Sequence, residues 1–223
     1  MTTATKIAPT LVIAKPPNLD ELVARLGGIP LSRILTGPAP GTATEADLLE
    51  AARRYDRRFE LSDGVLVEKK MGFSESLLDG ALIHILRNFV VPRNLGVVSA
   101  PDGSIRLFPG LVRFPDVAFA SWDRFPGRKV PTEPIPTLAP DLVVEVLSES
   151  NTAREMERKR DEYFAAGVRL IWEVDPEARV VSVYARGMSV TRLSASQTLD
   201  GGMVLSGFVL RIGDLFSELD RHG

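Results

Sequence analysis

The longest periodic signal in the chain is an apolar stripe formed by Leu77, Leu78, Ala81, Leu82, Ile85, Leu86, Phe89 and Val90. Its three- and four-residue spacing predicts an amphipathic helix that stops near Pro92. Upstream, Phe59 to Lys70 reads as a β-hairpin: Leu61 precedes a Ser62-Asp63-Gly64 turn, Val65 and Val67 alternate after it, and Met71-Gly72 breaks the second strand. Thr44 with Asp47 three residues later has the form of a helix N-cap and predicts a helix to about Arg57. Extended segments are expected near 96–99, 104–108 and 112–120. The short, valine-rich run from Leu142 to Leu147 suits a central strand buried on both faces. A helix should run from about Thr152 to Ala166 and stop at Gly167. Leu170 to Val174 and Val180 to Tyr184 form another strand pair around Asp175-Pro176, before small strands and a terminal helical turn around Ile212 to Leu219. The order of helix, hairpin, helix, strands, helix and strands predicts an α/β fold, a mixed sheet covered by helices.

Gly37-Pro38-Ala39-Pro40-Gly41 punctuates the chain and divides an N-terminal arm, 1–41, from a main domain, 42–223. The arm has a short helical pattern from Leu19 to Leu26, ended by Gly27-Gly28 and Pro30. Its apolar residues Leu11 to Ile13 and Leu31 to Leu35 are too many for free solvent, so the arm is expected to pack on the core or on a dimer partner. Val204 to Phe208 and Phe216 are expected to close the core. Five prolines between Pro126 and Pro140 predict a long exposed loop.

Acids inside the apolar strands are the chemical signal. Asp116 lies in RFPDVAF at 113–119 and Glu145 in LVVEVL at 142–147. A buried carboxylate is costly unless something pairs with it. On one strand, Val112, Phe114, Asp116, Ala118 and Ala120 would share a face; on the other, Val143, Glu145 and Leu147 would. Neighbouring strands would then bring both acids to one divalent ion, with the Val146 carbonyl as a further ligand. On the following helix Met156, Lys159 and Tyr163 share a flank, so Lys159 can lay its stem on the sheet and deliver its ammonium to the acids. This set suits metal-dependent phosphodiester hydrolysis. The ion polarises a phosphoryl oxygen and activates water, while Lys159 orients that water or neutralises a non-bridging oxygen. The bland alternative pairs Glu145 with an arginine or Lys159 and assigns it no chemistry.

Composition narrows the choice of ion. The 223 residues contain no cysteine and only two histidines, His84 and His222, which read as structural and as part of the tail. Thiolate and multi-histidine zinc sites are therefore excluded, and oxygen ligands point to Mg²⁺ or Mn²⁺. No apolar run approaches a membrane span, and no secretory pattern opens the chain, so a cytoplasmic protein without membrane contact is expected. A net charge of -2 argues against a generally basic nucleic-acid binder, but local basic clusters occur at Arg53, Arg54, Arg57 and Arg58, at Arg124, Arg128 and Lys129, and at Arg154, Arg158, Lys159 and Arg160. Arg124, Arg128, Lys129 and Arg158 are the candidate phosphate contacts.

Together, ELSDG at 60–64, RFPDVAF at 113–119, PDLVVEVLS at 140–148, the run from Asn151 to Gly167, and Trp172 with Asp175-Pro176 resemble the Uma2 (DUF820) family, within the PD-(D/E)XK nuclease superfamily. The resemblance spans about residues 44 to 185. It implies a restriction-endonuclease-like mixed-sheet core flanked by helices, Asp116 and Glu145 as metal ligands, Lys159 as catalytic lysine, DNA as partner, and homodimers. The sequence departs from the superfamily pattern where a lysine commonly sits two residues after the acid. That position is Leu147, and Lys159 on the next helix is the matching residue. A histidine often found near the start of the long helix is also absent, with Glu75 close to its place. Glu60, Glu68 and Glu75 are the possible additional site residues. The function expected is a metal-dependent DNA endonuclease; the alternative is a catalytically silent nucleic-acid-binding or structural homodimer on the same scaffold.

Overall fold

Two large sheets and a third of only two strands organise the chain, and Asp116 sits where it passes from the first large sheet to the second. A computed structural model describes residues 18–222. The arm contributes α1 (Leu19–Arg25), closed by a reciprocal capping box between Asn18 and Glu21, and the short strand β1 (Ile34–Leu35). Then come α2 (Glu45–Tyr55), the hairpin β2 (Phe59–Ser62) and β3 (Val65–Glu68), the long helix α3 (Phe73–Val90), and β4 (Gly96–Ser99), β5 (Ile105–Phe108), β6 (Leu111–Arg113) and β7 (Val117–Ser121). The chain continues through β8 (Leu142–Val146), α4 (Ala153–Ala166), β9 (Leu170–Asp175), β10 (Val180–Ala185), β11 (Thr191–Ser194), β12 (Thr198–Gly201), β13 (Leu205–Arg211) and α5 (Ile212–Phe216).

The first sheet is antiparallel, in the order β1-β3-β2-β6-β5. The second, β11-β10-β9-β8-β7-β4, is mixed: β8 and β9 run parallel and the other pairs antiparallel. Helix α4 makes the crossover that a parallel pair requires. Alternation along β8 divides its two faces. Val144 and Val146 pack with Leu78, Leu82, Leu86 and Val90 of α3, whereas Val143 packs with Tyr163 of α4. Leu205, Phe208 and Phe216 close the α3 side. The expected order of elements and the mixed α/β architecture are present.

Three details differ from the expectations. The single strand foreseen over 112–120 is two strands in different sheets. Pro115 has no N–H to donate to a ladder, and the chain crosses from β6 to β7 through Phe114-Pro115-Asp116. Val112 and Asp116 therefore do not share a strand face. The α3 stripe faces the core as expected from Leu78 to Val90, but Leu77 at its start is exposed and Asp79 is buried beside Leu78. Finally, the proline-rich segment is not exposed throughout. Ile135 is buried against the α2 side of the first sheet, and Arg106 and Leu138 of β5 and the loop exchange backbone hydrogen bonds with each other and with Pro136.

Arm residues Leu22, Leu26, Ile29 and Ile34 form a buried cluster with Val65 and Val67 of the hairpin. Arg33 ties that layer to α4: its guanidinium donates to both Glu155 carboxylate oxygens, at 2.8 and 2.9 Å, and to the carbonyls of Glu68 and Ser150. The apolar residues Leu11 to Ile13 lie outside the described residues.

Candidate active site

Asp116 is the last residue before β7, and the antiparallel register Val117↔Val144, continued by one step, brings it opposite Glu145. Its Oδ2 accepts the Val146 amide at 2.8 Å. Glu145 lies in the middle of the sheet on the α4 face, where the buried flank of α4 carries Met156, Lys159 and Tyr163. That flank forms because Thr152 and Glu155 close a capping box at the start of α4, and Gly167 ends the helix at a positive φ that suits glycine. Tyr163 donates its hydroxyl to Glu145 Oε1 at 2.6 Å, and Lys159 Nζ reaches Glu145 Oε2 at 3.1 Å.

Glu60, on β2 of the first sheet, joins the same network. Its Oε1 lies 3.1 Å from Lys159 Nζ, and its Oε2 lies 2.8 Å from the buried guanidinium of Arg113, which also binds Glu162. Lys159 thus bridges a carboxylate of each sheet. A second lysine, unforeseen from the sequence, lies between the strand acids. Lys69 Nζ is 2.9 Å from Asp116 Oδ1 and 3.0 Å from Glu145 Oε2, and it donates to the Phe114 carbonyl. One ammonium therefore marks a single point at which Asp116 and Glu145 converge.

Burial disfavours charge at every one of these groups, and the partners decide the outcome. For Glu60, Lys159, Arg113 and Lys69 outweigh burial and hold the carboxyl far below its usual range. Glu145 is lowered against its burial, chiefly by Lys159 and Lys69. Asp116 is pushed up by burial and by Glu145, against the pull of Lys69 and the Val146 amide. Lys69 is raised because Asp116, Glu145 and Glu60 overcome its desolvation. Burial, reinforced by Glu145, raises the Tyr163 hydroxyl well above its ordinary value, so it remains a proton donor.

Asp79 of α3 is the exception to this pairing. It is 3% exposed, and neither carboxylate oxygen has a hydrogen-bond partner. Burial, then the charge of Asp116, pushes its carboxyl up to about 8, while Lys69 pulls it down. The folded chain holds this proton across the interval from the ordinary value of 3.8 to about 8, whereas the unfolded chain has lost it. Stability therefore falls as pH rises through that window. Asp79→Asn should remove this dependence. Thermal unfolding at pH 5, 7 and 9 should show the variant gaining on the parent with each step, by a few kcal/mol on the order of magnitude set by linkage. Parallel curves would exclude a buried neutral Asp79.

Of the three additional acids considered, Glu60 enters the network. Glu68 instead pairs with the exposed Arg57 at 3.2 Å, and Glu75 accepts from Ser74 Oγ. The basic candidates are divided as well. Arg124 binds Asp141 and the Gly167 carbonyl, and Arg158 binds Glu162, Asp63 and the Arg25 carbonyl. Arg128 and Lys129 are exposed. A cleft of about 870 Å³ opens beside the end of β8, lined by Glu75, Ser148, Asn151, Arg160 and Glu173 among others. Arg160 is paired with Glu173 there, so the cleft walls carry more negative than positive charge. Among the described residues, no three histidine or acidic side chains form a cage that would by itself hold an ion.

Asp79 had a visible signal, an acid inside an apolar helical stripe. Lys69 had none, since a lysine pair ending a hairpin strand reads as solvated. Arg113 and Glu173 gain meaning only from the packing of strands against α4.

Comparison with known proteins agrees with this architecture. Residues 45–213 match the Uma2 family, described as "Putative restriction endonuclease". The fold is similar to a crystal structure of a putative nuclease belonging to DUF820 from Anabaena variabilis, with a TM-score of 0.66 and 21% identity over 74% of this chain and 92% of that one. No curated protein matches the chain. No helix among the described residues is long and apolar enough to cross a membrane.

Proposed function

This chain belongs to the Uma2 family, and from that premise we propose that it is a divalent-ion-dependent DNA endonuclease. One observation carries the reading: Asp116 and Glu145, from neighbouring strands, converge on a single positively charged point 2.9 and 3.0 Å away. A point that satisfies both carboxylates with one cation suits Mg²⁺ or Mn²⁺. Mg²⁺ typically takes only one or two carboxylates, with waters and substrate phosphate completing its shell, so a closed protein cage is not required. When bound, the ion would supply Lewis-acid polarisation of the scissile phosphoryl group and activation of water.

The protein's own groups then have separate tasks. Asp116 is oriented by the Val146 amide, and Glu145 by the Tyr163 hydroxyl. Glu60 anchors Lys159 from the opposite sheet, and Lys159 holds the attacking water or neutralises a non-bridging phosphoryl oxygen. Pre-positioned groups of this kind act where charge develops and need little reorganisation. Arg128 and Lys129 are free to meet phosphate. DNA as partner, Mg²⁺ or Mn²⁺ as cofactor and a homodimeric assembly belong to the same reading.

The test is cleavage of plasmid DNA in Mg²⁺ and in Mn²⁺ by the parent chain, Asp116→Asn and Glu145→Gln. Cleavage by the parent that is lost in both variants and in chelator supports the proposal. A folded parent that leaves DNA intact with either ion contradicts it. A second reading, a silent binding module, is favoured by the completeness of the ion-pair network, in which Lys69, Lys159, Arg113 and Tyr163 already satisfy Glu60 and Glu145. It requires DNA affinity indifferent to divalent ions at constant ionic strength.

A further inference from the structure

Building on the metal-dependent reading, we propose that Lys69 is a tethered counter-cation that holds the ion position in the metal-free protein, and that Asp79 receives its ammonium when a divalent ion displaces it. The Lys69 ammonium lies within hydrogen-bond distance of Asp116 Oδ1, Glu145 Oε2 and the Phe114 carbonyl. These are the two carboxylates that an incoming ion would need, so ion and ammonium compete for one place. Two strand acids brought together without a cation would repel each other in a low-dielectric site. Lys69 removes that repulsion, which lets the site assemble before the ion arrives.

Displacement needs somewhere for the ammonium to go. Lys69 follows β3 directly, and its backbone is fixed by the hydrogen bond from its amide to the Arg58 carbonyl. Any exchange therefore falls to its long, flexible side chain. Asp79 is the nearby group suited to receive it. Its carboxylate is buried, both oxygens are unpartnered, and Lys69 and Asp116 are the charged groups that act on it most strongly. Even as a neutral acid, a buried carboxyl group with both oxygens unpartnered carries a cost in a site where every other acid is paired. With the ion on Asp116 and Glu145, Asp79 would release its proton to solvent as it takes the ammonium, and all three carboxylates would then face a cation. Lys69 and Asp79 are thus positioning residues that set ion affinity, separate from Lys159.

Mn²⁺ titration by calorimetry, at one pH and without DNA, tests this on the parent, Lys69→Met, Asp79→Asn and the double variant. Lys69→Met should bind Mn²⁺ at least about tenfold more tightly than the parent, because the competitor is gone. Asp79→Asn should bind severalfold more weakly, because the displaced ammonium has lost its acceptor. In the Lys69→Met background the Asp79 change should have no effect. Equal or weaker binding by Lys69→Met overturns the proposal. So does an Asp79 effect that persists in the double variant, which would make Asp79 act on the ion itself. Removal of Lys69 also leaves adjacent acids uncompensated, so thermal unfolding of Lys69→Met and Lys69→Gln is measured alongside. Added Mn²⁺ should raise their midpoints more than the parent's, and an equal or smaller rise counts against competition. Failure of the parent reading looks different. If no variant binds Mn²⁺, the metal-dependent function falls and this proposal with it. Binding that Asp116→Asn abolishes but Lys69→Met leaves unchanged overturns only the competition.

Discussion

Glu145→Ala lowers the stability of the protein by about 3–5 kcal/mol in urea unfolding at pH 7, the range for breaking a buried ion pair by removing one partner. The reason is local. Glu145 is 3% exposed and accepts from Lys69, Lys159 and Tyr163 at once. Alanine leaves a phenol without an acceptor, and it takes from two buried ammonium groups an anion that they share. Lys69 retains Asp116 and Lys159 retains Glu60, so the loss is bounded and the fold survives at low temperature. Glu145→Gln keeps the shape and an acceptor for Tyr163, and its loss should be smaller than alanine's. The same residue predicts a pH response. Its folded-state pKa lies below the ordinary 4.5, so the stability that it contributes is present above that pH and disappears as pH falls through the folded value. Alanine should flatten part of the acid limb. A variant as stable as the parent, with an unchanged acid limb, would show that the network carries little of the fold.

Lys159→Met is expected to reduce the DNA cleavage rate by about 10²–10³-fold, the scale for loss of one pre-positioned electrostatic group in a water-excluded site. The Michaelis constant for DNA should change little, because Lys159 lies beneath the surface at 2% exposure and is not a groove contact. This split separates the two readings of the network. A purely structural lysine moves the unfolding midpoint and leaves the turnover of folded protein alone. A lysine that serves the reaction lowers turnover even at temperatures where the variant is fully folded. Methionine keeps the apolar stem that packs beside Met156 and Tyr163, so the comparison isolates the ammonium.

Much of this arrangement was legible in the sequence because its causes are local. The α3 stripe, the Thr152 and Thr44 caps, the Gly167 stop and the valine-rich β8 follow from periodicity, capping and left-handed backbone, all of which act within a few residues. Glu145 and Lys159 were legible for a related reason: a charge in an apolar strand, and a lysine on the buried flank of a helix, each imply a partner. The partners themselves were not legible. Lys69 enters the site because the hairpin of one sheet ends beside the acids of the other, and nothing near Lys69 in sequence encodes that meeting. Pro115 carried the information that 112–120 divides between sheets. A strand-edge proline and a sheet-crossing proline look alike until the pairing of β6 with β5 and of β7 with β8 is known. Arg124 and Arg158 read as phosphate candidates from the clustering of basic residues, and their pairing with Asp141 and Glu162 is visible only once the chain is packed.

Anomalous diffraction from crystals of the protein equilibrated with Mn²⁺ decides whether Asp116 and Glu145 together hold one divalent ion. The expected result is one strong manganese peak in contact with both carboxylates, at or beside the point that Lys69 Nζ takes in this structure. Saturating Mn²⁺ with no peak there, and the Lys69 ammonium still between the two acids, would contradict it.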